Sequence, residues 1–222
     1  MKISLSLDKS YSEDIAIMVD VLRASTTMTV AMQNFSRIIP VKSFLEAQEI
    51  ARKYDAVLAG ERRGAAIEGF DTGNSPPQIS KISGNTLVIT TSNGTRIMDK
   101  MKANVLVGSF VNAKAVAKRA IDLAETHIEV VMAGVEGNFA IEDFLGAGEI
   151  ISNLLNNELE EMALASYLAI RDKNMVDEAI KNSRSARKLG EIGLSDDVDF
   201  CLKRNIYDSV PVYANGSIEG NK

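Results

Sequence analysis

The sequence Ile-Ala-Ile-Met-Val-Asp-Val-Leu-Arg-Ala-Ser-Thr-Thr occupies residues 15–27 and changes character along its length. The apolar run 15–19 predicts a buried strand, and the polar residues that begin at Asp20 predict a loop. A helix is expected to follow, through about Gln33. An apolar strand, a polar loop and a helix in this order form the repeating unit of α/β proteins.

The same unit recurs along the chain, so we expect an α/β fold with three layers, α/β/α, and a mixed sheet. Residues 43–54 are predicted to form a helix that Ser43 caps, because Glu46 completes a capping box. Residues 175–189 are predicted to be helical and to end in a basic turn. A last strand at residues 210–213 is expected at a sheet edge, since Pro211 lacks an N–H donor. Other strands are predicted at residues 38–41, 56–59, 87–90, 105–107 and 128–133.

We expect a single α/β domain over residues 1–213, with two intimately packed halves as the alternative, and a frayed tail over residues 214–222. Ser43-Phe44 and Ser109-Phe110 each precede a predicted helix. We interpret this correspondence as a weak internal duplication. Such a duplication would place two polar loops on the same edge of a sheet.

The composition and net charge indicate which kinds of molecule the protein is expected to bind. The chain of 222 residues has a net charge of −5 and no stripe rich in Lys and Arg, so we do not expect it to bind nucleic acid. The first residues alternate like a strand and lack the long apolar run of a signal peptide or a spanning helix. We therefore expect a cytoplasmic protein that does not bind membranes. A homo-oligomer is compatible with this composition.

The chain has one histidine and one cysteine, and this limits the sites that it can form from these residues. A single cysteine cannot form an internal disulfide or a Cys-rich zinc site, and Cys201 is predicted to be a core residue. A Ser-His-Asp triad would have to use His127, which we expect at the boundary of a strand. The chemistry is therefore expected to depend on carboxylates, arginines and a hard metal ion.

The segment Gly60–Pro77 has the composition of an active-site loop. It contains four glycines and two prolines, so neither a helix nor a strand ladder can continue through it. Two arginines and three carboxylates lie on this irregular backbone. The alternative interpretation is a long solvated surface loop with ordinary charges.

Four polar loops follow predicted strands, at residues 20–27, 60–77, 91–96 and 134–143. Ligands of open α/β sheets bind beyond the carboxyl ends of the strands. Hydroxyls, amides and helix-start N–H groups bind anions, and arginines add paired hydrogen bonds. The carboxylates suggest a divalent cation, and Mg²⁺ needs no histidine. The candidate residues are Asp20, Arg23, Thr26, Thr27, Glu61, Arg62, Arg63, Glu68, Asp71, Asn74, Ser75, Asn93, Thr95, Arg96, Glu142 and Asp143.

Most of these residues also have a purely structural interpretation. Thr26 and Ser75 can serve as N-caps, and Glu142 and Asp143 favour a helix start through its dipole. Asp20 is harder to explain in this way, because a carboxylate at the end of an apolar strand requires a cationic partner.

Several independent motifs stand in order along the chain, and together they resemble one known family, the 2-phosphosulfolactate phosphatases of coenzyme M and sulfolactate biosynthesis. The resemblance covers nearly the whole chain. It is carried by Val19–Thr27, Gly60–Arg62, Gly69–Pro76, Thr90–Arg96, Gly108–Ala113, Ala133-Gly134 with Glu142-Asp143, Asp197–Cys201 and Val210-Pro211.

The resemblance implies an Mg²⁺-dependent phosphatase that hydrolyses 2-phospho-3-sulfolactate, a small anionic phosphorylated substrate, to sulfolactate and inorganic phosphate. It also implies a three-layer α/β fold. One departure from the pattern is Gly146, which stands where the family leads us to expect a cysteine. Related phosphorylated 2-hydroxy acids carry the same carboxylate and ester, and they are the alternative substrates.

The resemblance and the loop chemistry together suggest roles for the candidates. The nucleophile is either a metal-activated water or a carboxylate such as Asp20. A non-catalytic protein that binds small organic anions, and a scaffold whose loops only cap helices, are the rival interpretations. The expected catalytic residues are Asp20, Arg23, Glu61 and Asp71. Mg²⁺ is expected on Asp20, Glu61, Glu142 and Asp143. The expected substrate-binding residues are Thr26, Thr27, Arg62, Asn74, Ser75, Asn93, Gly94, Thr95 and Arg96, with Arg62 or Arg63 at the sulfonate.

Overall fold

The computed structural model describes residues 1–98 and 101–220, apart from the side chains of Thr95 and Arg96. The strands are β1 (Lys2–Leu7), β2 (Ile15–Val19), β3 (Phe35–Val41), β4 (Val57–Arg62), β5 (Ala65–Ala66), β6 (Gly84–Thr90), β7 (Asn104–Gly108), β8 (His127–Met132), β9 (Glu158–Leu159), β10 (Pro211–Ala214) and β11 (Ser217–Gly220). The helices are α1 (Ala24–Ala31), α2 (Phe44–Tyr54), α3 (Pro76–Ile79), α4 (Gly94–Met98), α5 (Ala113–Leu123), α6 (Ile141–Ile151), α7 (Glu161–Ala169), α8 (Lys173–Lys181), α9 (Arg184–Glu191) and α10 (Ser195–Cys201).

The strands of the described residues form one mixed sheet in the order β5-β4-β6-β3-β11-β10-β7-β2-β8-β1-β9. The central strand β2 is buried on both sides. Ile15, Ile17 and Val19 belong to a core with α5, α6 and α8 to α10. Ala16 and Met18 belong to a second core with α1, α3 and α4. Helices therefore cover both faces of the sheet, as parallel strands require, and the predicted three-layer α/β/α fold is confirmed.

The predicted helix over residues 43–54 and its cap at Ser43 are also confirmed, as α2. Ser43 is the N-cap of α2, and its hydroxyl accepts a hydrogen bond from the backbone N–H of Glu46. The region predicted to be helical over residues 175–189 is divided into α8 and α9. Ser183 causes this division, because it caps α9 by accepting from the N–H of Ala186.

The C-terminal prediction was wrong in two respects. Strands β10 and β11 form a hairpin in the middle of the sheet, where β10 pairs with β7 and β11 pairs with β3. Residues 217–220 are therefore a strand and not a frayed tail, and residues 210–213 do not form an edge strand. Pro211 is tolerated because the pairing with β7 begins one residue later, at Val212. Residues 221 and 222 of the predicted tail lie outside the described residues.

This hairpin determines how the two sides of the sheet are oriented. Strands β4, β6 and β3 are parallel to one another, and so are β7, β2 and β8. Each pairing through the hairpin is antiparallel, so the two groups run in opposite directions across it. Neighbouring strands rotate by about 20–25°, and over the six steps from β4 to β2 the rotation accumulates to roughly 120–150°. This twist brings the carboxyl ends of the two groups towards each other.

No helix within the described ranges is both long and apolar enough to cross a membrane. The internal duplication stays a prediction.

Candidate active site

One pocket is lined by residues at the ends of strands that lie on both sides of the β10–β11 hairpin. Asp20 follows β2, Glu61 lies at the end of β4, Asn93 follows β6 and Val135 follows β8. Helix α9 lies along another side of the same pocket. The lining residues are Asp20, Leu22, Arg23, Glu61, Arg63, Gly64, Asn74, Ser92, Asn93, Val135, Glu136, Ser185, Lys188 and Leu189.

Asp20 is a buried carboxylate held by backbone N–H groups. Its Oδ1 accepts a hydrogen bond of 3.2 Å from the N–H of Ala24, and the N–H of Gly94 also donates to it. Gly94 has no room for a side chain, since a Cβ there would lie 3.0 Å from Oδ2 of Asp20 and 2.9 Å from the Cβ of Ala24. A glycine at this position lets the start of α4 approach the carboxylate.

Burial raises the pKa of Asp20 to about 7, and the negative charges of Glu61 and Glu142 add to this shift. The N–H donors from Ala24 and Gly94 act in the opposite direction. Burial also raises the pKa of Asp143 well above its ordinary value, with further contributions from the charges of Asp20 and Glu142. The loops therefore bring several carboxyl groups together in a region with little water, where their charged forms are disfavoured.

Glu61 connects two of the loops that form the pocket. Its Oε2 accepts a hydrogen bond of 2.7 Å from the N–H of Gly64, and its Oε1 accepts one of 2.7 Å from the N–H of Ser92. The first bond fixes the turn between β4 and β5, and the second fixes the loop after β6. The buried carboxylate thus positions both neighbouring segments of the pocket wall.

The turn between β4 and β5 presents Arg63 to the pocket. Arg62 pairs with Ala65, so Arg63 and Gly64 form a two-residue hairpin turn. Both residues have positive φ values, 56° for Arg63 and 91° for Gly64. Such turns favour Asn-Gly, because side chains other than Asn and Asp rarely adopt a positive φ.

Arg23 is anchored by two short hydrogen bonds. Its Nη1 donates to Oδ2 of Asp197 at 2.5 Å, and its Nη2 donates to the carbonyl oxygen of Gly64 at 2.5 Å. Oδ1 of Asp197 accepts from the hydroxyl of Ser75 at 2.6 Å. This network joins the loop after β2, the start of α3 and helix α10, and it holds the guanidinium at the pocket wall.

Asn74 and Asn93 bring amide groups to the pocket. Asn74 is buried, and its Oδ1 has no hydrogen-bond partner among the described residues. Asn93 uses its Oδ1 to accept from the N–H of Glu136 at 3.2 Å, which ties the loop after β6 to the loop after β8. Asn74 therefore retains an unused acceptor oxygen.

Comparison with known proteins shows the family of this chain. The model of a family described as 2-phosphosulpholactate phosphatase matches residues 2–216. The chain belongs to this family. A 2-phosphosulfolactate phosphatase from Methanothermobacter thermautotrophicus is 50% identical over 99% of this chain and 95% of the relative. A probable 2-phosphosulfolactate phosphatase from Clostridium acetobutylicum is 35% identical over 91% of this chain and 91% of the relative. Another, from Thermotoga maritima, is 37% identical over 90% of this chain and 89% of the relative.

In this member of the 2-phosphosulfolactate phosphatase family, several residues that the sequence predicted lie together. Asp20, Arg23, Glu61, Asn74 and Asn93 line the pocket. Gly94 lies behind Asp20, and Arg63, the alternative to Arg62 at the sulfonate, is also in the wall. Thr95 and Arg96 lie in α4, and their side chains are outside the described part of the chain.

Three of the hydroxyl residues predicted to bind substrate form hydrogen bonds within the fold. The hydroxyl of Thr26 donates to the carbonyl oxygen of Val21, and that of Thr27 donates to the carbonyl oxygen of Asn74. Both threonines are fully buried, because α1 is covered on all sides. Ser75 caps α3 and donates to Asp197. None of the three lines the pocket.

Arg62 and Asp71 lie away from the pocket in this phosphatase-family fold. Successive residues of a strand point to opposite sides, and the guanidinium of Arg62 donates to Thr90 and to the carbonyl oxygen of Lys42. Asp71 is exposed, and its carboxylate accepts from the N–H of Leu58, near the beginning of β4. The structure therefore places this predicted catalytic acid away from the carboxyl end of β4.

The predicted metal ligands do not form one cluster. Asp143 accepts from the N–H groups of Val21 and Gly134, at 2.8 Å and 3.0 Å, and ties two loops together. Glu142 is buried near Asp20 but does not line the pocket. Among the described residues, no three His, Cys, Asp or Glu side chains form a group that could hold a metal ion.

Gly146, where the family resemblance suggested a cysteine, is a packing position. A Cβ at residue 146 would lie 2.4 Å from Cγ2 of Val21, so α6 can lie close to the loop after β2 only because the side chain is absent. The local packing thus matches the glycine that this family member has.

The residues at the site that the sequence did not indicate include Asp197, Ser185 and Lys188. Asp197 was quoted only as part of a motif, and Ser185 and Lys188 were part of a region predicted to be helical. The basic turn at the end of that region was the available indication. Nothing in the sequence placed this turn beside Glu61, more than a hundred residues earlier.

Proposed function

We propose that this protein hydrolyses 2-phospho-3-sulfolactate to 3-sulfolactate and inorganic phosphate, with Mg²⁺ as its cofactor. The observation that carries the proposal is the pocket in which Asp20, Glu61 and Arg23 lie together, in a chain of the 2-phosphosulfolactate phosphatase family. A phosphate monoester carries about two negative charges at neutral pH and offers strong acceptor oxygens. Arginine N–H groups and a divalent cation are suited to bind such a group.

Two observations support Mg²⁺ in this pocket. Burial raises the pKa of Asp20, and the charges of Glu61 and Glu142 add to the shift, so a cation beside Asp20 would favour its carboxylate and relieve their repulsion. Oδ1 of Asn74 is a buried acceptor without a partner in the described part of the chain. Mg²⁺ commonly uses one or two carboxylates together with waters and phosphate oxygens, so it does not require a cluster of three acids. Asp20, Glu61 and Asn74 are the residues that would hold it.

Arg23 is suited to bind the phosphoryl group. Asp197 and the carbonyl oxygen of Gly64 fix its orientation, and the remaining N–H donors of the guanidinium are available to phosphoryl oxygens. Because both anchors are buried or partly buried, the guanidinium is already in place before the substrate arrives, which reduces the cost of ordering it.

The reaction exchanges one bond at phosphorus. The oxygen of a water molecule bonds to phosphorus while the bond from phosphorus to the ester oxygen breaks. The ester oxygen takes up the proton that the water releases, and it leaves as the 2-hydroxyl of sulfolactate. Bound Mg²⁺ would offset phosphoryl charge and lower the pKa of a bound water. Glu61 keeps the turn at Gly64 and the loop at Ser92 in position around the reacting group.

The test is phosphate release from 2-phospho-3-sulfolactate and from 2-phospholactate, with Mg²⁺ or with EDTA, by the wild type and Asp20→Asn. We expect metal-dependent release that Asp20→Asn abolishes while circular dichroism shows an intact fold. If the wild type binds the ester in EDTA but releases no phosphate under any condition, the protein is a binding protein and the proposal is wrong. Faster release from 2-phospholactate would assign a different phosphorylated 2-hydroxy acid as substrate.

A further inference from the structure

Two cations in the pocket wall have no partner within the described ranges. Arg63 and Lys188 both line the pocket, and neither forms an ion pair or a side-chain hydrogen bond with a described residue. Arg23, in contrast, is paired with Asp197. The positive charges of Arg63 and Lys188 are therefore available to a ligand.

Packing between the β4–β5 turn and α9 brings these two cations to the same wall. A Cβ on Gly64 would lie 3.4 Å from Cδ1 of Ile192 and 3.8 Å from Cδ2 of Leu189, so the turn lies against α9 and the residue that follows it. Arg63 and Lys188 are each adjacent in sequence to this contact. Two like charges on packed segments repel each other, and an anion bound between them removes that repulsion.

The backbone at Arg63 is a second indication that this wall binds a ligand. Arg63 has a φ of 56° at a turn position where Asn or Gly is preferred. Non-glycine residues in this conformation carry a small energetic cost, and they concentrate at ligand-binding sites. The turn thus carries a long cationic side chain at a position where a shorter residue would suit its backbone better.

We infer that this wall binds the two other anionic groups of the substrate, with Lys188 and Ser185 at the sulfonate and Arg63 at the carboxylate. The inference rests on the proposed function. A planar guanidinium matches a planar carboxylate through two parallel hydrogen bonds. A sulfonate has three oxygens in a tetrahedral arrangement, and it is suited by the point charge of an ammonium group together with a hydroxyl donor. Residues of α9 therefore set the preference for a sulfonated substrate.

The experiment compares kcat/KM for 2-phospho-3-sulfolactate and 2-phospholactate, which differ only in the sulfonate. We expect Lys188→Ala to lower the ratio of the two values by about tenfold or more, because a hydrogen bond to a charged group is lost. Lys188→Arg should retain most of the preference. Arg187→Ala is the matched control, since Arg187 lies on the same helix, is exposed, does not line the pocket and carries the same charge.

The outcomes separate this inference from the proposed function. If Lys188→Ala lowers both values equally, or changes the ratio no more than Arg187→Ala, Lys188 does not bind the sulfonate. If the wild type hydrolyses neither ester, the proposed function fails. Calorimetric titration with 3-sulfolactate and with lactate then tests whether the sulfonate site exists. A wild-type preference for 3-sulfolactate that Lys188→Ala removes supports the sulfonate site without turnover. Equal affinities of the wild type and Lys188→Ala overturn it.

Discussion

The guanidinium of Arg23 and the carboxylate of Asp197 form an ion pair of 2.5 Å although the residues are 174 positions apart. Both side chains are almost fully buried. Asp197 also accepts from Ser75, so one carboxylate connects α10, the start of α3 and the loop after β2. The position of Arg23 in the pocket therefore depends on the last helix of the chain.

We predict that Asp197→Asn lowers the free energy of unfolding by about 3 kcal/mol, because it leaves the Arg23 guanidinium buried without a counter-ion. Urea denaturation measures this change, and phosphate release should fall with it. Asp199→Asn on the same helix is the control, since its ion pair with Lys181 is exposed and solvent-screened and is expected to contribute little to stability. Equal effects of the two substitutions would contradict a structural role for the buried pair.

Asp20→Asn is predicted to stabilise the metal-free protein at high pH. The pKa of Asp20 is raised to about 7 from its usual 3.8, so stability linked to this group is fully present below about pH 4 and is lost as the pH rises to about 7. In EDTA, the thermal midpoint of Asp20→Asn should exceed that of the wild type at pH 8, and the difference should shrink towards pH 5. Added Mg²⁺ should raise the midpoint of the wild type only. A thermal midpoint of the wild type above that of Asp20→Asn at pH 8 in EDTA would refute this prediction.

Glu61→Gln is expected to disturb two loops at once. An amide can replace only one of the carboxylate oxygens as acceptor, so the N–H of Gly64 or Ser92 loses its partner, at a cost of about 1–3 kcal/mol. Unfolding free energy and kcat/KM should both decrease. Glu68→Gln in the same loop is exposed and should leave both unchanged. A fully stable Glu61→Gln protein would show that the two hydrogen bonds do not hold the loops.

Arg63→Asn should separate turn stability from ligand binding. Asn is favoured over Arg at this turn position, so the free energy of unfolding should stay the same or rise by a few tenths of a kcal/mol. The kcat/KM for both esters should nevertheless fall, because both carry the carboxylate that Arg63 is proposed to bind. The kcat/KM of Arg63→Lys should lie between those of the wild type and Arg63→Asn. Unchanged kinetics in Arg63→Asn would remove Arg63 from the binding site.

Ile218→Ala tests the central position of the C-terminal hairpin. Ile218 of β11 is fully buried, so the truncation is expected to cost about 2–5 kcal/mol. Ile206→Ala, at a side chain that is 46% exposed, should cost much less. Thermal unfolding measures both, and similar midpoints for the two variants would be inconsistent with a strand in the sheet interior.

Local chemistry explains what the sequence predicted correctly. An apolar run such as residues 15–19 can be satisfied only by burial on both faces, and Ser43 caps α2 through a contact three residues away. Asp20 was identified because a carboxylate at the end of a buried strand requires a partner, and Arg23 and Glu61 were identified because they lie in polar loops that follow predicted strands. These inferences need no knowledge of distant parts of the chain.

The predictions failed where the position of a side chain depends on contacts between distant segments, or on which side of a strand the residue faces. Whether Arg62 or Arg63 points to the pocket depends on where the β4–β5 turn falls, and a shift of one residue would reverse them. Asp71 and Thr26 have the same side chains as site residues, but they satisfy nearby backbone groups. Lys188 reaches the pocket only through the packing of α9 on the turn at Gly64, which no local pattern encodes.

The position of the β10–β11 hairpin bears on how the protein is made. During translation, β7 and β3 leave the ribosome long before the strands that separate them, because residues 211–220 are the last part of the described chain. Until then, the nascent chain exposes two unpaired strand edges, which are sites for incorrect pairing. Completion of the sheet therefore requires that residues 211–220 have been synthesised, and stop codons shortly before residue 211 should yield aggregating products.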